Sequence, residues 1–375
     1  MTPGFDDPSD AYLVERLLEM LAIPSITGFT DELSRYLCAE LQALGVEFQL
    51  TRRGSIIARV PGKSGHRYAR AVVNHLDTIG ATVKALKPNG RLAIAPVGTW
   101  SSRFAEGGRV TVFTSSGAYR GQVLPLLASG HAFNEEVDRL PISWNQIEVR
   151  VNERAETQQD LRALGVEVGD YVAFDADPEV SSSGYISARH LDNKAGAAAL
   201  LCALKQIRQE RLEPEIDLHA IFTVTEEVGT GAGATLSDRV SEFVGIDIGP
   251  VAPGQNARET GVTICAQDTS GPYDFHLRRK LTQLCRSNNI PYQVDVFRYY
   301  YSDANSAVTA GHDVHDALLT FGTDATHGYE RTHMDSLRAL VRLLVAYSAS
   351  TPVFPARLSG RREFPHQIES QESAQ

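Results

Sequence analysis

DNKAGAAALLCALKQIRQ (residues 192–209), IDLHAIFTVT (216–225) and FVGIDIG (243–249) decide the fold. The first stretch, full of Ala and Leu, predicts a helix, and the other two predict buried strands. The same alternation continues toward the C-terminus. FHLRRKLTQLCRSNN (275–289) predicts a helix, QVDVFRY (293–299) and DALLTFG (316–322) predict strands, and DSLRALVRLLVAYSAS (335–350) predicts a last helix. Toward the N-terminus lie a helix from Tyr12, ended by Pro24, a helix over DELSRYLCAELQALG (31–45), and strands FQLTRR, SIIARV and ARAVVNHLD (69–77). Strands alternating with helices imply an α/β sandwich around a mostly parallel sheet.

Between about Ile79 and Tyr185 the texture changes. Short alternating segments such as RVTVFTS (109–115), QIEVRVN (146–152) and DYVAFD (170–175) are separated by Gly, Pro and Ser. They predict a small inserted β-barrel. The division expected is a discontinuous catalytic unit over 11–80 and 184–357, a barrel over 81–183, and disordered tails at 1–10 and 358–375. No internal repeat is present.

Composition excludes several classes. The 375 residues are 42% apolar and 22% charged, ordinary for a globular chain, with a net charge of −10. An acidic surface disfavours nucleic acid and anionic membrane as partners. No apolar run is long enough for a membrane span, and the N-terminus lacks the pattern of a signal peptide. Cys38, Cys202, Cys265 and Cys285 are scattered without a CxxC pair, which suits reduced core thiols in a cytoplasmic protein.

In open α/β sheets ligands gather at the carboxyl ends of strands. His75 and Asp77 follow one strand, Glu226 and Glu227 a second, Asp247 lies in a third, and Asp324, His327 and His333 follow a fourth; Asp192 opens the long helix. Singly, each has an ordinary explanation: Asp192 as a helix N-cap, the Glu pair as a solvated strand end, His219, His312 and His315 as surface or core imidazoles. Two adjacent ligands at 226–227 need the chain to turn, which Gly229 allows. Jointly the set has the make-up of a two-metal site, with His and carboxylate ligands, a bridging candidate and a spare glutamate.

NHLDTIG (74–80), RHLDNKAG (189–196), TEEVGTGAG (225–233) and GIDIG (245–249), in that order, resemble the di-metal aminopeptidases of the glutamyl, deblocking and tetrahedral type. The likeness covers most of the chain, and 98–123 and 147–175 look like that family's barrel. The resemblance implies His75 as a ligand oriented by Asp77, Asp192 as the bridge, Glu226 as general acid/base, and Glu227 and Asp247 as further ligands. It implies two divalent ions, with zinc first and cobalt or manganese as alternatives, a metal-bridging water deprotonated by Glu226, short peptide substrates and a homo-oligomer, up to a dodecamer. The family's final His stands in an Arg-Tyr-x-His-Ser context that is missing here; His327 is favoured for the place over His333, which is expected to start the last helix. The ending HGYERTH (327–333) is similar to a subgroup tied to osmoprotectant dipeptide clusters.

Three rival activities remain open on the sequence. Gly229, Gly231 and Gly233 could mark a nucleotide site, but their spacing is wrong for the dinucleotide fingerprint. Paired carboxylates could serve a glycosidase, and a related deacylase would share much of the site.

Overall fold

The computed structural model describes residues 7–63 and 67–353. Residues 1–6 and 358–375 of the expected tails lie outside the described residues. Residues 8–10 belong to no tail: helix α1 (Pro8–Leu21) begins there, with the Asp7 carboxylate accepting from Ser9 N–H.

Helix α2 (Asp31–Ala43) follows, then strands β1 (Glu47–Leu50), β2 (Ile56–Val60) and β3 (Ala69–His75). Six strands come next: β4 (Gly80–Leu86), β5 (Leu92–Val97), β6 (Arg109–Thr114), β7 (Gly117–Pro125), β8 (Ile147–Val151) and β9 (Tyr171–Phe174). Three short helices lie among them, α3 (Ser102–Ala105), α4 (Gly130–Phe133) and α5 (Gln158–Ala163). The chain continues through β10 (Glu179–Val180), β11 (Tyr185–Ala188), α6 (Leu191–Gln209), β12 (Asp217–Thr223) and β13 (Val240–Pro250). It ends with β14 (Val262–Asp268), β15 (Gly271–Pro272), α7 (Phe275–Ser287), β16 (Tyr292–Val296), α8 (Asp303–Thr309), β17 (His315–Thr323), β18 (Glu330–His333) and α9 (Met334–Ala349).

The main sheet runs β1-β2-β12-β3-β13-β17-β14-β15, with β16 beside β14. Its centre, β12-β3-β13-β17, is parallel, and antiparallel pairs flank it. Parallel strands buried on both faces read as continuous apolar runs, and β3 is buried at every position. Alternate side chains serve two cores. Val72, Val244 and Leu319 join the residues of α1, α2, α6, α7 and α9, while Ala71, Val73, Phe243 and Leu318 meet Ala304 and Ala307 of α8 on the other face.

Strands β4-β5-β8-β7-β6-β9 form a closed barrel around their own core, which includes Val83, Ile94, Val110, Val123, Val149 and Val172. The α/β sandwich with an inserted barrel is therefore the observed architecture. Several elements were not anticipated, among them β14 (VTICAQD), α8 (DANSAVT), β11 and β18. The thiols are free, with Cys202, Cys265 and Cys285 buried and Cys38 only half-buried. No described helix is long and apolar enough to cross a membrane.

Candidate metal centre

Three ends of the parallel sheet converge with the start of α6. His75 closes β3, and its neighbours across the ladder are β12, through Thr223, and β13. Asp247 stands within β13 opposite Thr320. The chain leaving β12 turns at Glu226–Gly229, closed by Gly229 N–H to the Glu226 carbonyl at 2.6 Å. The positive φ of +77° at Gly229 is the freedom that lets two adjacent glutamates face one cleft.

Asp192 is not a helix cap. Its φ and ψ, −73° and 102°, are non-helical, and the α6 N-cap is His190 at φ +67°. Buried amides hold this segment: Asn193 donates to the Ile246 carbonyl at 2.7 Å, and Asn74 donates to the Asn193 carbonyl at 3.1 Å. A Cβ at Gly196 would lie 2.2 Å from Asn193 Oδ1, so the close fit requires glycine.

The side chains sequence reasoning singled out come together around Asp192. His75 Nε2 lies 3.1 Å from Asp192 Oδ1, 3.7 Å from Glu226 Oε2 and 3.9 Å from Asp247 Oδ1. His327 Nε2 lies 3.6 Å from both Asp192 Oδ2 and Glu227 Oε2. Two sets of donor atoms result, His75/Asp192/Asp247 and Asp192/Glu227/His327, each gathered within 4.8 Å. Asp192 is in both.

Each imidazole is held by its other nitrogen. His75 Nδ1 bonds the Asp77 carbonyl at 2.8 Å, and His327 Nδ1 bonds the Thr99 carbonyl at 3.0 Å. A carbonyl only accepts, so both Nδ1 atoms carry hydrogen and both Nε2 atoms face the cleft. Asp77 thus orients His75 through its backbone; its carboxylate, 3.7 Å from that ring, serves elsewhere. It accepts Thr27 Oγ1 at 2.6 Å and the backbone N–H groups of Glu226 and Glu227 at 3.1 and 3.3 Å. His333 lies outside the cluster: it caps α9, and its Nε2 meets the Ser183 carbonyl. His312 and His315 bond Gly233 and Asp274, and His219 is buried in β12.

The electrostatics call for positive charge. Among the described residues, every ion pair of Asp192, Glu226, Glu227 and Asp247 is to His75 or His327. Burial pushes the Glu226 carboxyl well above its usual range and Glu227 to about 8, with neighbouring carboxylates adding to both shifts. Burial would lower both imidazoles, yet the surrounding carboxylates lift His75 well above its usual value and His327 to about 10. Burial also opposes ionisation of Asp192, and the two imidazoles overcome it. Asp192 Oδ1 and Glu227 Oε1 are buried without a hydrogen-bond partner. Orphaned carboxylate oxygens beside aligned imidazole nitrogens are the donor set that divalent cations such as zinc take, and the residues fit such ions.

Sequence reasoning missed Glu330 and Asp303, both buried beside the cluster. Asp303 accepts Thr223 Oγ1 at 2.6 Å and Ala232 N–H at 2.7 Å. Glu330 accepts the backbone N–H groups of Asp192 at 3.0 Å and His327 at 2.9 Å. The only signal for Glu330 was its place three residues after His327. Trp100 and Phe174 of the barrel wall a small cavity whose other side is Asp192, Glu227 and His327, so the insertion borders the site.

The M42 glutamyl aminopeptidase family matches residues 54–343. The Bacillus subtilis protein YhfE, described as a candidate aminopeptidase, is 37% identical over 91% of this chain and 98% of its own. The lysyl aminopeptidase of Pyrococcus furiosus is 24% identical over 62% of this chain and 64% of its own. Among solved structures, the TET aminopeptidase of a marine sediment Thaumarchaeota archaeon superposes with a TM-score of 0.82 at 18% identity, over 90% of this chain and 96% of that one. The TET1 peptidase of Pyrococcus horikoshii superposes at 0.79 with 25% identity, over 90% and 99% of the two chains. The chain belongs to the M42 glutamyl aminopeptidase family and is an aminopeptidase, a hydrolase of peptide bonds.

Proposed function

We propose that this chain releases N-terminal residues from short peptides with two divalent cations, one held by His75, Asp192 and Asp247 and the other by Asp192, Glu227 and His327. One observation carries this reading: the two oxygens of Asp192 face two separate imidazoles, Oδ1 at 3.1 Å and Oδ2 at 3.6 Å. When bound, such cations would supply Lewis-acid chemistry, lowering the pKa of water and polarising the scissile carbonyl. Zinc suits the nitrogen and oxygen donors, and cobalt or manganese would also be accepted.

Glu226 is the general base. Its carboxylate takes the proton of the attacking water and passes it to the departing amine. Burial supports this role, since a raised carboxyl pKa makes it a stronger base. Asp77 fixes the turn that aims Glu226, and a cation or a carboxylate of the cleft receives the substrate's free α-amino group. This limits cleavage to chain ends.

The same reading divides the chain into a catalytic unit, 11–80 with 184–357, and a barrel over 81–183 that walls the cleft. The Pyrococcus horikoshii TET1 peptidase assembles into a tetrahedron or an octahedral shell, which supports a homo-oligomer here. Unpaired thiols favour the cytoplasm as its compartment.

The test compares aminoacyl-anilides with free and N-acetylated termini, using metal-depleted protein with and without added zinc. Zinc-dependent cleavage of the free substrates alone is expected. Full activity after exhaustive chelation, or preference for the acetylated series, would overturn the reading.

A further inference from the structure

We infer that Glu330 is a positioning residue that ties the two halves of the metal centre together. Glu330 is 1% exposed and has no ion pair among the described residues. One carboxyl oxygen accepts the N–H of Asp192, the other the N–H of His327, residues far apart in sequence. Both segments have backbone that side chains disfavour. His190 stands at φ +67° just before Asp192, and Ala325 and His327 stand at +56° and +62°. Asp192 and His327 themselves lie beyond the end of the β11–β18 ladder, so that ladder brings the two segments together without fixing either residue.

Glu330 can set their separation because of where it sits. It opens β18, which pairs with β11 in the register Ala188↔Glu330, and β11 leads directly into Asp192. The same strand is continuous with the turn carrying His327. A fold staple has no need of a carboxyl group in this place, where burial is costly and other carboxyl groups crowd. What the carboxylate achieves is a fixed span between the shared ligand and the last one. The inference rests on the two-cation reading, in which that span sets the separation of the cations.

Glu330→Gln keeps the volume but turns an amide N–H₂ toward one of the two backbone donors. Cobalt(II) titrated alone into the metal-depleted full-length protein should bind about 10- to 100-fold more weakly than to wild type, with altered visible absorption. The thermal midpoint of the metal-free form should fall by only a few degrees, the cost of one buried N–H left facing another donor. With a free-terminus peptide substrate and saturating metal, kcat should fall more than KM rises. Glu330→Asp, which keeps the carboxyl group but falls short of one donor, should weaken cobalt in the same direction and serves if the Gln variant does not fold. Wild-type cobalt affinity and spectrum in the folded variant overturn the inference, as does a lowered thermal midpoint with unchanged cobalt binding. Asp192→Asn is the control for the reading beneath. If it binds both ions as wild type does, that reading fails and takes this one with it; if it loses both while Glu330→Gln binds normally, this one fails alone.

Discussion

The two halves of the candidate centre are built by different means. His75 and Asp247, 1% and 4% exposed, ride on adjacent parallel strands whose ladder fixes where they point. Glu227 and His327 sit in turns, and the His327 side chain is 29% exposed. Their positions depend on side chains bonding to backbone: Asp77 on the glutamate turn, Glu330 and the Thr99 carbonyl on His327. A ligand carried by a sheet is held by the fold itself, whereas one carried by a turn needs its own supports.

Asp192 belongs to both halves, so its loss should have the largest effect. Asp192→Asn removes charge from the shared oxygen pair, and metal analysis should find neither ion retained and peptide hydrolysis at background. Retention of one ion would show that the halves are independent sites. Next comes Glu226→Gln, at a residue that belongs to neither donor set. It should keep two ions per chain while kcat falls by about 10²- to 10⁴-fold, the range for a lost general base. A fully active Gln variant would end the assignment.

The halves themselves are separated by His75→Ala and His327→Ala. Removing the buried imidazole strips Asp192, Glu226 and Asp247 of their nearest cationic partner. The metal-free protein should lose about 3 kcal/mol of stability, as when one partner of a buried pair is deleted. Removing His327, where solvent screens the loss, should cost about 1 kcal/mol or less. Denaturant midpoints of the two variants measure the difference. Equal costs would mean that the contrast between strand and turn has no energetic content.

The same contrast decided what the sequence disclosed. Parallel strands advertise themselves as apolar runs, so β3, β12, β13 and β17, and the polar residues at their ends, were legible from the chain alone. His75, Asp192 and Asp247 could be found because they stand at or just past the ends of such runs or at a helix start. Turn geometry left only residue types. His327 and His333 were rivals because nothing in ATHGYERTH states which imidazole the backbone aims inward; the structure shows a left-handed residue at 327 and a helix cap at 333. Asp77 was expected to orient the His75 imidazole, and the contact is made by its backbone carbonyl, a choice local sequence does not encode. Glu330 was invisible because its partners are backbone N–H groups, which every residue but proline has. β14 was missed because VTICAQD ends in polar residues, although β17 and β16 cover both its edges.

A comparably small effect concerns acid, and it places a titration in the sheet rather than in the centre. His219 lies in β12, upstream of the glutamate turn, facing Arg59 across the pair with β2. Burial, with Arg59 and Arg239 adding and Asp217 opposing, lowers its pKa from 6.5 to about 4. A depressed imidazole is neutral in the fold while the unfolded chain takes up the proton. Its stabilising contribution is therefore complete above pH 6.5 and is lost as pH falls toward 4. Allowing for solvent screening, that is about 1 kcal/mol between pH 7.5 and pH 5. His219→Gln cannot titrate, so urea midpoints of the metal-free protein should fall less between those two pH values than in wild type. If the two proteins lose stability in parallel, the acid sensitivity of the strand-borne half resides in the carboxylate cluster and not in the strand beneath it.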